Sequence, residues 1–75
     1  MTQNRDMSRL PHEWLSDREY QVLCMIASGK TVSDIAATVN LSVKTVSTYR
    51  ARILEKMGME SNAELTAYAI KNGIC

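Results

Sequence analysis

Apolar residues recur along this chain every three to four positions, the period of helices that bury one side. Val22, Leu23, Ile26 and Ala27 mark the first such face, and Ile35, Ala36 and Val39 the second. Val46, Tyr49, Ile53 and Met57 mark the third, and Leu65, Tyr68 and Ala69 the fourth. Start signals precede each run. Ser16 and Glu19 have capping-box spacing, with Leu15 and Tyr20 placed as a hydrophobic staple. Thr31 and Asp34 repeat the box more weakly, Ser42 caps the third helix, and Ser61 to Glu64 open the fourth. Gly29, Gly58 and Gly73 fall just past helix ends, where a left-handed residue is needed, and Asn40 tolerates the same conformation at the end of the second helix. These local signals agree with one another. They predict an all-α domain, a four-helix bundle over residues 11–75, with no strand and no internal repeat. Residues 1–10 carry no apolar period and read as a disordered tail or the end of a linker. Pro11 blocks helix continuation at the domain's start.

The second and third helices are separated only by Asn40, Leu41 and Ser42, with Leu41 free to plug the core. A short helix, a tight turn and a longer helix form the helix-turn-helix pattern. The third helix, residues 43–57, has two unlike sides at about 100° per residue. Opposite its apolar side lie Lys44, Thr48, Ala51 and Glu55, flanked by Thr45, Ser47 and Arg52. A helix made only for solubility favours Glu, Lys and Gln, whereas Thr45, Ser47 and Thr48 are poor helix formers. Small side chains permit close approach, hydroxyls exchange hydrogen bonds, and basic side chains meet phosphates. The pattern reads as a DNA recognition helix. A solvated outer face is the plainer alternative, and the choice of hydroxyl residues argues against it.

Charge sharpens this reading. The formal net charge is only +1, but residues 43–57 hold Lys44, Arg50, Arg52 and Lys56 against Glu55 alone. Residues 12–34 hold Glu13, Asp17, Glu19 and Asp34 against Arg18 and Lys30. A basic stripe on a nearly neutral chain suits a polyanion bound locally. The acidic part argues against a membrane surface. The 75 residues, with no Phe and few other aromatics, bound the protein to one small domain with a largely aliphatic core. No stretch approaches the roughly 20 apolar residues of a membrane span, and no signal peptide is visible, so a cytoplasmic location is expected. Of the two cysteines, Cys24 lies in an apolar pattern and reads as a buried small hydrophobe. Cys75 reads as incidental.

The fourth helix carries a second apolar stripe, Ala63, Ala67, Ile70 and Ile74, nearly opposite the first. In a domain this small it would stay exposed in a monomer, which predicts a two-fold homodimer seam. Its plain alternative is a helix enclosed on both sides or fraying at its end. His12 has no evident ligand partner and reads as exposed, while Trp14 can pack against the bundle. No cysteine–histidine spacing suggests a metal, and neither a phosphate-binding glycine loop nor a nucleophile–base set can be assembled. Asp17 and Glu19 are explained by the helix dipole at a first turn. An enzyme is not expected, and no cofactor is called for.

Together Leu15-Ser16-Asp17-Arg18-Glu19, Gly29, Ile35-Ala36, Leu41-Ser42, Lys44-Thr45-Val46, Tyr49, Ile53 and Lys56-Met57-Gly58 resemble the LuxR/FixJ/NarL-type DNA-binding domain, over about residues 15–74. The resemblance implies a bundle with helix three in the major groove and helix four pairing two copies, commonly the C-terminal output half of a bacterial two-component response regulator. By position it implies that Ser47, Thr48 and Ala51 face bases, that Lys44, Thr45 and Arg52 make backbone or mixed contacts, and that Lys56 meets a phosphate. Tyr49 stands where the family often has His, with its hydroxyl expected at the edge of the bundle. Arg50 turns inward and ranks below Arg52. Ala51 departs from members with a long polar residue there, leaving at most an apolar contact such as a thymine methyl. The chain carries neither a receiver's acidic pocket nor an autoinducer-binding region, so a fragment of a receiver-containing protein and a stand-alone regulator both stay open. Double-stranded DNA is the expected partner, with RNA polymerase as a further one. The rival function is a helix-turn-helix protein-interaction module that docks on polymerase or a partner regulator without binding DNA.

Overall fold

The computed structural model describes residues 11–75, so the tail or linker end expected at residues 1–10 lies outside the described residues. A short 3₁₀ turn, Pro11–Trp14, leads into four helices. They are α1 (Asp17–Ala27), α2 (Val32–Val39), α3 (Val43–Met57) and α4 (Asn62–Asn72). Pro11 thus opens a 3₁₀ turn before the bundle begins, a feature that the helical period does not reveal.

The predicted boundaries have visible local causes. Ser16 and Glu19 form a reciprocal capping box on α1, and Thr31 and Asp34 form another on α2. The Ser42 hydroxyl accepts the Thr45 N–H at the start of α3. At α4 the Ser61 hydroxyl accepts the Glu64 N–H, but the Glu64 carboxylate takes the N–H of Glu60 at 2.7 Å, one residue before the expected partner. Ser61 is more extended (φ −146°) than the other three caps, which lie between −70° and −79°. Asn40 and Gly58 end α2 and α3 in the left-handed region, so the two helices of the helix-turn-helix stop where their sequences indicate.

Val22, Leu23, Ile35, Val46, Ile53 and Leu65 are fully buried, joined by Ile26, Ala36, Val39, Met57 and Ala69. Every helix contributes, so no single helix can keep its inner face without the others. Leu41 packs against this cluster from the turn between α2 and α3. Helix α1 lies against α2, α3 and α4 and forms the spine of the bundle.

Three pairings were not foreseen. Glu19, only 3% exposed, is the sole buried charged residue among those described. Its Oε1 accepts the Ser16 N–H at 2.8 Å and the Lys56 ammonium at 2.8 Å. It therefore ties α1 to the last turn of α3 as well as capping its own helix. His12 is half-buried rather than exposed. Its Nδ1 lies 2.8 Å from the Tyr68 hydroxyl and its ring contacts those of Tyr20 and Tyr68, which fastens the 3₁₀ turn to α1 and α4. Cys24 and Cys75 are bonded as a disulfide with their Cα atoms 5.2 Å apart, so Cys75 is not incidental and Cys24 is not merely a small apolar filler. The cause is the end of α4. Gly73 turns left-handed, the Ile74 N–H reaches the Ala69 carbonyl, and the last residue swings over α1.

The same reversal corrects the expected α4 stripe. Ala63, Ala67 and Ile70 are exposed, and Ile70 keeps 76% of its surface. Ile74 lies past the helix end and packs against the core, so it does not continue that stripe.

Candidate nucleic-acid interface

Helix α3 is held from its inner side by Val46, Ile53 and Met57, which leaves the opposite side free along its whole length. Lys44, Thr45, Ser47, Thr48, Ala51 and Arg52 are all exposed there. Six of the seven residues expected at the interface therefore share one surface. The seventh, Lys56, does not join them as a free cation. Its ammonium is engaged with Glu19 and its side chain is 38% exposed. A phosphate contact from Lys56 would have to compete with this pair, which links the last turn of α3 to α1.

The hydroxyls are individually placed. Ser42 donates to the Thr45 hydroxyl at 2.9 Å, so Thr45 retains its own proton to donate outward. Thr48 donates back to the Lys44 carbonyl at 3.1 Å, leaving its oxygen as an acceptor and its methyl as an apolar contact. Back-bonding of this kind does not restore the helix propensity that threonine lacks, so the hydroxyls on this face still need another use. Thr45, Thr48, Tyr49 and Arg52 line one open cleft on this face. Tyr49 sits with the hydroxyl stripe as well as at the bundle edge, and the expected site residues did not include it. Its signal was the spacing: four residues after Thr45 and three before Arg52, it shares their helical row.

Charge is arranged on the same surface. Arg50 spends its Nε on the Asn62 side chain at 2.7 Å, as its inward position suggests. Among the described residues neither Lys44 nor Arg52 has an acidic partner within ion-pair distance, so both present uncompensated positive charge to solvent. Val43, 49% exposed, adds an apolar residue at the N-terminal end of the surface. Burial pushes the Glu19 carboxyl up, but the hydrogen bond from Lys56, the Ser16 N–H and the lysine charge outweigh it and hold the group below its usual value. Glu19 is therefore ionised at neutral pH, the state that pairs with the Lys56 ammonium. Among the described residues no cluster of His, Cys, Asp or Glu could hold a metal ion, and no helix is long and apolar enough to cross a membrane.

Comparison with known proteins bears on this surface. The family model described as "Bacterial regulatory proteins, luxR family" matches residues 13–69, which include the helix-turn-helix and most of α4. Response regulator UvrY of Escherichia coli (strain K12) is 43% identical over 65 residues, covering 87% of this chain and 30% of UvrY. Transcriptional regulatory protein LiaR of Bacillus subtilis (strain 168) is 40% identical over 63 residues, covering 84% of the chain and 30% of LiaR. Response regulator GacA of Pseudomonas aeruginosa is 44% identical over 64 residues, covering 85% and 30%. The chain thus spans less than a third of the length of these relatives.

Proposed function

Because this chain belongs to the luxR family of bacterial regulatory proteins, a family of transcription regulators and not of enzymes, we propose that it is the sequence-specific DNA-binding domain of a response regulator. Helix α3 enters the major groove. Lys44 and Arg52 meet phosphates and set the register, while Thr45, Ser47, Thr48 and the Ala51 methyl address base edges. Tyr49 adds a phenolic hydroxyl at the rim of the same cleft. Two copies pair through Ala63, Ala67 and Ile70 of α4 and place two α3 helices on half-sites about 10 base pairs apart, centre to centre. Such a domain works in the cytoplasm, where the DNA is. The single observation that carries this reading is the outer face of α3: a row of hydroxyls and small residues between two cations that have no acidic partner among the described residues.

The test is a titration of the domain against duplex DNA at several salt concentrations, with wild type beside Lys44→Ala/Arg52→Ala. Removing two phosphate contacts reduces the slope of log K against log[salt] by about two and weakens binding to all sequences alike. Binding that is absent even at low salt would favour a protein-interaction module docking on polymerase or a partner regulator.

A further inference from the structure

Cys24 and Cys75 are the chain's only cysteines, 51 positions apart, one on α1 and one past the end of α4. Their Cα separation of 5.2 Å falls within the range of about 4.4–6.8 Å that a disulfide spans. Contacts independent of the bond hold them there. Ile74, immediately before Cys75, packs on the core, its N–H bonds the Ala69 carbonyl at 3.1 Å, and Gly73 supplies the left-handed turn that reverses the chain. Cys24 is anchored in the interior of α1 between Leu23 and Met25. Cys24 is half-buried and Cys75 is exposed, so a small oxidant can reach the pair without unfolding the bundle.

We propose that Cys24 and Cys75 form a reversible thiol–disulfide latch, closed by exchange with a low-molecular-weight disulfide such as glutathione disulfide, which sets the stability of the domain according to the redox poise. One cysteine thiolate attacks glutathione disulfide, forming a mixed disulfide and expelling one glutathione thiolate. The other cysteine thiolate attacks the first cysteine's sulfur, closes the bond and expels the second glutathione. Two electrons pass to glutathione, and the two protons lost by the cysteines end on the two glutathione thiols. The closed latch ties the end of α4 to the spine of the bundle and removes freedom from the unfolded chain across a 51-residue span. That it works as a switch and not as a permanent staple rests on the proposed function, which puts the domain in a compartment where thiols are kept reduced. The closed latch leaves the exposed faces of α3 and α4 untouched, since neither cysteine lies on them.

The full chain is equilibrated in glutathione buffers from fully reduced to mostly oxidised, its free thiols are trapped by alkylation, and mass spectrometry counts the labels. Species with two labels and with none exchange reversibly, and the oxidised monomer melts about 10 °C or more above the reduced one. Cys75→Ser melts within a few degrees of the reduced wild type and loses the oxidation-dependent rise. Glutathione adducts or bridges between chains in place of the internal bond would overturn the proposal. So would equal melting temperatures, or a bond that no excess of reduced glutathione reopens. None of these readouts involves DNA, so a failure of the latch and a failure of the DNA reading are seen separately.

Discussion

Replacing Lys56 with Met tests whether the Glu19–Lys56 pair is a strut that aims α3. The methionine keeps most of the stem's apolar contact and removes the ammonium, leaving Glu19 buried at 3% exposure. Breaking a buried pair by deleting one partner costs about 3–5 kcal/mol. Two features reduce that figure here. The lysine side is 38% exposed, so water reaches the pair, and the carboxylate retains the Ser16 N–H. An expected cost of about 2 kcal/mol follows, on a domain whose whole stability is on the order of 5–10 kcal/mol. At roughly 4–8 °C per kcal/mol, the melting temperature falls by about 8–16 °C.

The pH dependence separates charge from packing. In the wild type the Glu19 carboxyl is held below the usual carboxylate range by the Lys56 and Ser16 hydrogen bonds and the lysine charge, which together outweigh burial. A depressed carboxyl contributes stability above its unfolded value, and that contribution is lost as pH falls through the folded one. In Lys56→Met the lysine's two lowering contributions are gone while burial and the Ser16 hydrogen bonds remain, so protonating Glu19 costs the folded variant less than it costs the wild type. The stability gap between wild type and variant should therefore be widest near pH 7 and shrink below about pH 4.5. Urea denaturation followed by circular dichroism at pH 7 and pH 3.5 measures it. A gap of the same size at both pH values would refute the electrostatic account and leave only lost packing. If the pair positions α3 and does not itself meet DNA, the variant should also bind all DNA sequences more weakly while leaving the salt slope at the wild-type value. A slope lowered by about one would return Lys56 to the phosphate contacts.

Ile70→Glu places a charge on the most exposed large apolar residue of α4, so it should lower affinity for a paired site with a change in melting temperature of only a few degrees. Sedimentation and gel-shift titration check it, and unaltered pairing would remove α4 as the seam. Tyr68→Phe deletes the hydroxyl that meets His12 and should cost about 1 kcal/mol, read by thermal denaturation. Gly58→Ala should cost about 1 kcal/mol through strain alone, because Gly58 sits at φ +68° with open space where a Cβ would stand. A neutral Gly58→Ala would mean that the turn after α3 can relax.

What could be read in the sequence was what neighbouring residues decide. A hydroxyl three positions before a helical N–H caps it whatever the rest of the chain does, and Asn40 and Gly58 end helices by their own conformational freedom. The inner faces were legible for a related reason: with four amphipathic helices in so short a chain, each apolar side has only the others to cover it. The three long-range pairings were not legible. Glu19 with Lys56, His12 with Tyr68 and Cys24 with Cys75 are separated by 37, 56 and 51 positions, and only the packing angles of the bundle bring them together.

The residues whose surroundings periodicity leaves open lie where a period says least. Lys56 is seven positions from Tyr49, so the two share a flank of α3 between its buried and open sides, and periodicity gives such a flank no preference. The bundle resolves each by what lies across from it. Lys56 meets the buried carboxylate of Glu19, while Tyr49 opens onto the cleft with Thr45, Thr48 and Arg52. Ile74 fails differently, because the row of Ala63, Ala67 and Ile70 extends to it only if the helix continues, and Gly73 stops the helix first. A surface read from a helical wheel is therefore trustworthy at its centre and within the helix ends. For α3 that centre includes Lys44, Thr48 and Ala51, each exposed. Substitutions there should alter sequence preference or phosphate contact and spare the fold, whereas changes at Lys56 should reach DNA only through the fold.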